Sequence, residues 1–424
     1  DIDIVTVGSS EKLATLVNKK LKIKNKVSIF KKFGTAMINY KSTNIEFVSS
    51  RKESYKINSR NPKITNGTII DDHKRRDFTI NSISIQLNSN FFGHMLDPFN
   101  GFNDLKNKII KTPLDPSLTY KDDPLRILRA IRFSCELGFK IDENSMKAIK
   151  SNSKRIEIIS KERIINELNK IILSDSPSKG FFLLDNLKIL ESIFPELIKL
   201  KGVEEIFGQK HKDNFNHTLE VLDNISKLTN NLWLRWAALL HDIGKSKTKK
   251  FIKKIGWTFH GHEYVGSKMV YDIFKRFKLP LNEKMRYVKK IVYLSSRPIS
   301  LTEQNITDSA IRRLIYDAGN DIEDLITLCE ADITTKNINK YKLYLKNFKT
   351  LRKKIEEVEN RDKLRNFQPP ITGDYIMNYF KIKPCKEIGI IKEKIKDAIL
   401  DGKIPNEFNH AKKMMIVMGN KLNL

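Results

Sequence analysis

Two carboxylates, Asp1 and Asp3, open the chain in the alternation Asp1-Ile2-Asp3-Ile4-Val5. Strand side chains repeat with period two, so both acids share one face and the aliphatics take the other. Spaced roughly 6–7 Å along a strand, such a pair can grip divalent metals jointly. Two Mg²⁺ ions about 3.5–4 Å apart would activate an attacking hydroxyl and neutralise a departing pyrophosphate. The competing reading is an edge strand with a solvated acidic face.

A second group is Arg75-Arg76-Asp77-Phe78-Thr79-Ile80-Asn81-Ser82. Arg75 and Arg76 supply planar donors suited to triphosphate or ribose oxygens. Asp77 and Asn81, four apart, share one helical face and suit sugar hydroxyls. A salt-bridge knot at a helix start is the alternative for Asp77. Asp122-Asp123-Pro124-Leu125-Arg126 forms a third group. On a helix, Asp123 and Arg126 are i, i+3 neighbours, so carboxylate and guanidinium project side by side. Cytosine offers an N4 donor beside its N3 acceptor, and adenine an N6 donor beside N1; an Asp acceptor with an Arg donor matches both. Guanine and uracil would leave these groups mispaired, which is what makes discrimination large. Alternatively, Asp123 caps the helix that Pro124 begins, unless Asp122 takes the cap. Arg126, Arg129 and Arg132 continue as a stripe for phosphate contact or as a solvated face.

These residues must be positioned by more than one unit, since 424 residues suggest two to four domains. A hydrophobic share of 40% fills several cores. No apolar run reaches the roughly 18 residues of a membrane helix, so no membrane is expected among the partners. The net charge of +28 points to a polyanion, with RNA favoured, although Lys, Asn and Ile recur throughout as an AT-rich coding sequence would dictate. Cys135, Cys329 and Cys385 lack metal spacing and read as buried thiols of a reducing cytoplasm.

The first hundred residues mix β-rich runs, 1–7, 35–40, 45–49 and 83–87, with a helical pattern of Leu13, Leu16, Val17 and Leu21. The polar stretch 58–72, with Asn61-Pro62 and Asn66-Gly67, reads as a loop. After Pro113 the pattern is helical almost throughout, with expected helices at 156–173, 218–228, 232–240, 268–277 and 307–317. A late amphipathic helix carries Ile391, Ile395, Ala398 and Ile399 on one face.

The Arg75–Ser82 segment, Asp97-Pro98-Phe99-Asn100-Gly101 through Asp104-Leu105, and Asp122–Arg126 together resemble class II tRNA nucleotidyltransferases and bacterial poly(A) polymerases. The resemblance covers nearly the whole chain and is strongest over 1–170. It implies an α+β chain: a small mixed α/β nucleotidyltransferase head over 1–112, then a mostly helical neck and body over 113–205. An HD phosphohydrolase-like domain over 206–350 and an RNA-binding helical tail over 351–424 would follow. In this family Asp1 and Asp3 correspond to the metal-binding Asp-x-Asp, and Asp123 with Arg126 serves as an amino-acid template for CTP and ATP. Glu53 is a weaker metal candidate, and the loop before Asp72 resembles the family's flexible loop. The family's Gly-Gly-x-x-Arg-Asp segment, which belongs about a dozen residues before Asp1, is absent from the sequence. The head is therefore expected to be truncated at its amino terminus, and the polypeptide as written to be weak or inactive in transfer.

His217, His241-Asp242-Ile243-Gly244-Lys245 and His260-Gly261-His262 resemble the HD metal-dependent phosphohydrolase domain. His217, His241, Asp242, His262 and Asp332 form the expected set for a transition metal or Mg²⁺, with Asp308 a weaker candidate. Related chains carry another histidine near 294–298, where this one has Ser295 and Ser296. That difference leaves a retained helical scaffold and an active phosphodiesterase both open.

The leading expectation is template-independent addition of CCA, or part of it, to tRNA from CTP and ATP in the cytoplasm. An A-adding enzyme or a poly(A) polymerase is the near alternative. A phosphohydrolase with a decayed transferase head and a non-catalytic RNA-binding protein are the distant ones.

Overall fold

The computed structural model describes residues 2–30, 34–56, 59–303, 307–362, 365 and 367–424. Asp1, one of the expected metal ligands, lies outside the described residues. The chain forms two compact units, Asp1–Ile198 and Lys199–Leu424.

The first unit opens with a four-stranded sheet in the order β1-β4-β3-β2. Its strands are β1 (Ile2–Thr6), β2 (Ser28–Phe30), β3 (Thr35–Tyr40) and β4 (Thr43–Ser49). Between β1 and β2 runs α1 (Ser10–Lys20), capped by the Ser9 side chain accepting from the Lys12 amide. Ala14 of α1 is buried with Ala36, Ile38 and Phe47, and Ile4, Leu13, Val17 and Ile45 pack around them. Two of the positions read as the helix's apolar face, Leu16 and Leu21, are instead exposed. The small Ala14 meets the sheet in their place, because it lets the helix backbone approach closely.

Within the stretch read as a loop, the described residues from Ser59 on form a strand and the start of a helix. β5 (Arg51–Lys56) pairs antiparallel with β6 (Ser59–Asn66), and α2 (Ile69–Lys74) follows. Thr68 and Asp71 form a reciprocal capping box at the start of α2, which satisfies two of the orphan amides that open a helix. The polar composition hid the hairpin because its strands carry no apolar alternation to bury.

Of the run at 83–87 only β7 (Ser84–Ile85) is strand, paired with β8 (Met95–Leu96). There follow α3 (Gly101–Lys106), β9 (Ile109–Ile110), α4 (Pro116–Asp122), α5 (Leu125–Leu137) and β10 (Lys140–Ile141). α6 (Glu143–Asn152), α7 (Lys161–Leu173) and α8 (Pro177–Asn186) complete a helical layer. The unit closes with the single turns α9 (Leu190–Ile193) and α10 (Pro195–Ile198).

The second unit begins with the ribbon β11 (Glu205–Ile206) and β12 (Gln209–Lys210). α11 (Asn214–Ser226), α12 (Leu232–Leu240) and the short α13 (Lys245–Thr248) lead to the hairpin β13 (Lys250–Ile252) and β14 (Gly256–Thr258). α14 (His262–Phe277), α15 (Glu283–Leu294), α16 (Arg297–Glu303), α17 (Asp308–Ala318) and α18 (Ile322–Ala331) follow. The last helices are α19 (Ile338–Asp362), α20 (Gly373–Phe380), α21 (Lys386–Leu400) and α22 (Phe408–Lys421). Ile391, Ile395, Ala398 and Ile399 are buried on α21, as their spacing predicts. Cys135 and Cys329 are buried, whereas Cys385 is exposed at the start of α21, contrary to its reading as a buried thiol. No helix among the described residues is long and apolar enough to cross a membrane.

Candidate active site and candidate metal centre

In the first unit β1 runs parallel to β4, with Asp3 opposite Glu46 and Ile4 opposite Phe47. Phe47 is fully buried and Ile4 packs against its cluster, so that face belongs to the core. Period two then puts Asp3 and Glu46 together on the other face. Glu46 was not singled out from sequence. Its signal lay in the alternation Ile45-Glu46-Phe47, which repeats that of Ile2-Asp3-Ile4 one strand away. Glu53, the other acid considered, is engaged by Arg51 at 2.9 Å and Arg75 at 3.5 Å with only 5% of its side chain exposed. It serves as a buried counter-ion rather than an exposed strand acid.

Arg75 and Arg76 are anchored by one residue that sequence reading passed over. Asp72 is fully buried; Arg75 donates to its Oδ1 from Nε at 2.9 Å, and Arg76 donates to its Oδ2 from Nε at 3.3 Å. Both guanidiniums are thereby fixed before any ligand arrives, which lowers the ordering cost of binding an anion. Asp77 accepts from Asn81 Nδ2 at 3.0 Å and from Arg129 Nε at 2.7 Å. Burial alone would raise the Asp77 carboxyl, but the Arg129 guanidinium, the Asn81 bond and the Arg126 charge outweigh it and hold it below the ordinary value.

The Asp97-to-Gly101 motif is what presses this segment into place. Asp97 accepts from the amides of Gly101 at 2.7 Å and Phe102 at 2.8 Å, capping α3. A Cβ on Gly101 would lie 2.1 Å from the Thr79 carbonyl oxygen. Only glycine permits that approach, and Thr79 Oγ1 then donates to Asp104 Oδ2 at 2.7 Å.

Of the acid–guanidine pair only Arg126 lies on α5; Asp123, expected on the same helix, precedes it in extended backbone at φ −130°, ψ 96°. Arg126 Nη2 donates to the Arg75 carbonyl at 2.5 Å, which ties the start of α5 to the arginine pair. Asp123 Oδ1 accepts from the Leu125 amide at 3.1 Å. Asp123 therefore takes the cap itself, and Asp122 ends α4, where burial raises its carboxyl against the pull of Arg126. The arginine stripe divides by function. Arg129 holds Asp77, whereas Arg132 is buried, donates to Glu167 at 2.6 Å and Glu136 at 2.8 Å, and lies over the Phe133 ring at 4.0 Å. Arg132, expected to contact nucleotide, has its charge met inside the helical layer by Glu167 and Glu136.

In the second unit α11, the end of α12 and the residue after α18 converge. His217 Nε2 lies 2.9 Å from Asp332 Oδ1 and 3.6 Å from Asp242 Oδ2. His241 Nε2 lies 3.4 Å from Asp242 Oδ2 and 3.5 Å from Asp332 Oδ1. Ligand atoms of His217, His241 and Asp242 all fall within 4.8 Å of one another. His262 approaches through Nε2, 3.4 Å from Asp242 Oδ1, while its Nδ1 faces the Phe259 carbonyl at 3.0 Å. Gly244 makes this possible, since a Cβ there would meet the His262 carbonyl oxygen at 2.0 Å. Asp308, the weaker candidate, instead pairs with Arg361 at 2.8 Å.

Burial pushes the His241 imidazole down, but Asp242 and Asp332 overcome it and lift it to about 9. Burial likewise raises Asp242 and Asp332, and the histidines outweigh it, leaving both carboxyls below their usual range. His241 Nε2 and Asp332 Oδ1 are buried from solvent where the imidazoles and carboxylates converge. Imidazole nitrogens and carboxylate oxygens gathered this closely fit a divalent cation held by mixed nitrogen and oxygen donors. Lys245 Nζ, 2.6 Å from Asp242 Oδ2, completes the surroundings. Where a further histidine was sought, Ser295 donates to the Val292 carbonyl at 3.0 Å, and its own carbonyl accepts from the Cys329 thiol at 3.0 Å.

Residues 1–111 match the poly A polymerase head domain, 138–200 the probable RNA and SrmB-binding site of polymerase A, and 214–336 the HD domain. The chain is 31% identical over 270 residues to an A-adding tRNA nucleotidyltransferase of Deinococcus radiodurans, covering 62% of this chain and 59% of that one. It is 30% identical over 274 residues to a multifunctional CCA protein of Pseudomonas fluorescens, covering 62% and 64%. The chain thus spans about six tenths of the length of these curated relatives. The fold is shared with the CCA-adding enzyme of Bacillus stearothermophilus in complex with CTP, at a TM-score of 0.70 and 18% identity over 100% of this chain and 89% of that one. It is also shared with the Thermotoga maritima CCA-adding enzyme complexed with tRNA, at a TM-score of 0.58 and 23% identity over 99% and 87%.

Proposed function

We propose that this chain, which matches a poly A polymerase head, an RNA-binding segment and an HD domain in turn, is a nucleotidyltransferase that adds C and A residues to tRNA 3′ ends without a nucleic-acid template. CTP, ATP and tRNA are its substrates in this reading, and the cytoplasm its place of work. The division at 1–112, 113–205, 206–350 and 351–424 assigns transfer, base reading, metal-dependent hydrolysis and RNA binding in turn.

One observation carries the proposal: Arg126 of α5 is bonded at 2.5 Å to the carbonyl of Arg75, so the base-reading pair and the arginines of the head are one assembly. Asp123 accepts from the exocyclic amine of cytosine or adenine and Arg126 donates to the ring nitrogen beside it. Arg75 and Arg76, held by Asp72, receive triphosphate oxygens. Asp77 and Asn81 orient the ribose. Arg129 maintains Asp77 as a carboxylate.

Both domain types work with divalent metals, and Asp1, Asp3 and Glu46 are the residues proposed to hold two Mg²⁺ ions in the head. Bound there, such ions make a 3′-hydroxyl nucleophilic near neutral pH and offset charge on pyrophosphate. The 3′-oxygen bonds to the α-phosphorus, the bond from that phosphorus to the bridging oxygen breaks, and pyrophosphate leaves. Supplying single nucleotides to tRNA lacking its CCA end tests the reading: incorporation of C followed by A is expected, and incorporation of A alone makes this an A-adding member.

The convergence of His217, His241 and Asp242 ligand atoms within 4.8 Å of one another favours a second activity in the other unit. His217, His241, Asp242 and Asp332, with His262 nearby, are proposed to hold a transition metal or Mg²⁺ for hydrolysis of a phosphate ester. Cleavage of nucleoside 2′,3′-cyclic phosphates in the presence of added metal tests it.

A further inference from the structure

A cavity of about 490 Å³ opens where the first turns of α12 and α15 meet the turn at Gly319–Asp321, within the second unit. Two caps fix that junction. Asn231 Oδ1 accepts from the Trp233 amide at 3.0 Å, and Asn282 Oδ1 accepts from the Lys284 amide at 3.1 Å. α12 separates the cavity from the histidine–aspartate set, because Trp233 opens that helix and His241 follows its end, roughly 12 Å further along the axis.

The lining offers a ring and two kinds of charge. Trp233 is half-buried, and its ring lies 6.0 Å from that of the buried Phe274. Phe274 anchors the indole to the core, while Lys284 Nζ stands 5.4 Å from the Trp233 centroid on a flexible stem. Other polar groups of the wall are already matched. Lys290 donates to the Ala318 carbonyl at 2.9 Å and pairs with Asp321, and the Tyr287 hydroxyl donates to Asp324 Oδ2 at 2.6 Å. Lys284 and Arg286 differ, since among the described residues neither pairs with a carboxylate.

A ring beside two unpaired cations is the chemistry that takes a nucleotide: the base stacks on the indole, and the phosphate meets ammonium and guanidinium. The volume falls within the roughly 300–1,000 Å³ usual for small-ligand sites. Lys284 and Arg286 together balance one dianionic phosphate. Glu283 and Asp321, also in the lining, oppose the further phosphates of a continuing strand and can accept from ribose hydroxyls or an exocyclic amine. We propose that this cavity binds a free nucleoside monophosphate, base against Trp233 and phosphate between Lys284 and Arg286, at a site apart from both proposed centres.

The chain has three tryptophans, Trp233, Trp236 and Trp257, of which Trp236 is fully buried. In a full chain carrying Trp257→Phe, quenching by an added ligand therefore reports on Trp233. Adenosine 5′-monophosphate titrated in EDTA is expected to quench that fluorescence saturably. Arg286→Ala in this background is expected to raise Kd about tenfold, as loss of one charge-assisted hydrogen bond does. Arg286 is exposed, so the melting temperature is expected to stay unchanged. Ribose 5-phosphate, which lacks the base, is expected to compete at least about tenfold more weakly, the lower part of the range for one stacked base. A tetra-adenylate with a 5′-hydroxyl carries internal phosphates alone and is also expected to bind more weakly than the monophosphate. Absence of saturable quenching, a Kd unchanged by Arg286→Ala, or equal affinity for ribose 5-phosphate overturns the site. Tighter binding of the tetra-adenylate makes it a surface for RNA and overturns its assignment to a free nucleotide.

Discussion

Arg129 Nε lies 2.7 Å from Asp77 Oδ2, across 52 residues of chain, and this bond fastens α5 to the segment that bears Arg75 and Arg76. Asp77 keeps 10% of its side chain exposed and Arg129 32%. In the proposed reading the pair borders the nucleotide site, so it would stabilise the unit and shape that site at once.

Replacing Asp77 by Asn is expected to cost about 2 kcal/mol at neutral pH. This is below the roughly 3–5 kcal/mol for breaking a fully buried pair, because Arg129 remains partly solvated. Asp77 is held below its unfolded value near 3.9, so its contribution is complete above that pH and fades as pH falls through the lowered folded value. Thermal melting from pH 7 to pH 2.5 should show the gap between wild type and variant closing below about pH 4. A gap of constant size contradicts the assignment.

The acid face of β1 and β4 makes a separate prediction. Asp3→Asn is expected to lower nucleotide addition at least about 10³-fold, as loss of several kcal/mol of transition-state stabilisation requires. Glu46→Gln is expected to lower it by about 10- to 100-fold, with tRNA affinity and melting temperature kept in both. Full activity in Asp3→Asn removes metal-assisted transfer at this face.

Much of this was legible beforehand, and the exceptions have physical causes. The alternation at Asp3 and the α21 face were readable because burial imposes a period on sequence. Leu16 and Leu21 misled because hydrophobicity does not reveal that a small Ala14 allows the closest approach to the sheet. The β5–β6 hairpin was missed because the sequence of neither strand alternates apolar and polar residues. Glu46 and Asp72 act through neighbours far along the chain, and no local spacing reports a parallel register or a shared counter-ion. Arg132 repeats at the same interval as Arg126 and Arg129, yet only the packing of α7, which brings Glu167, distinguishes it. In the second unit His217, His241, Asp242 and Asp332 come from separated elements, and their joint reading needed the HD resemblance.

Metal removal should separate the two units. His241→Ala is expected to lose bound metal, read by elemental analysis, and to lose hydrolysis of 2′,3′-cyclic nucleotides, while addition to tRNA stays within about twofold. Metal content equal to wild type contradicts the ligand set.

A chain of net charge +28 should bind tRNA mainly through phosphates. Its affinity is expected to fall by at least about 10³-fold between 50 and 200 mM salt, if about six phosphates are contacted. A flat salt response would contradict binding by the basic surface.

Selection of the base by protein side chains is tested most directly by misincorporation. Wild type and Arg126→Ala are each given CTP, ATP, GTP or UTP with a tRNA lacking its CCA end, and kcat/KM is measured for each nucleotide. The account predicts that wild type takes C and A, and that Arg126→Ala narrows their advantage over G and U by about 10- to 100-fold, equivalent to roughly 1–3 kcal/mol of lost pairing. A variant that slows equally with all four nucleotides, its preference intact, would contradict it.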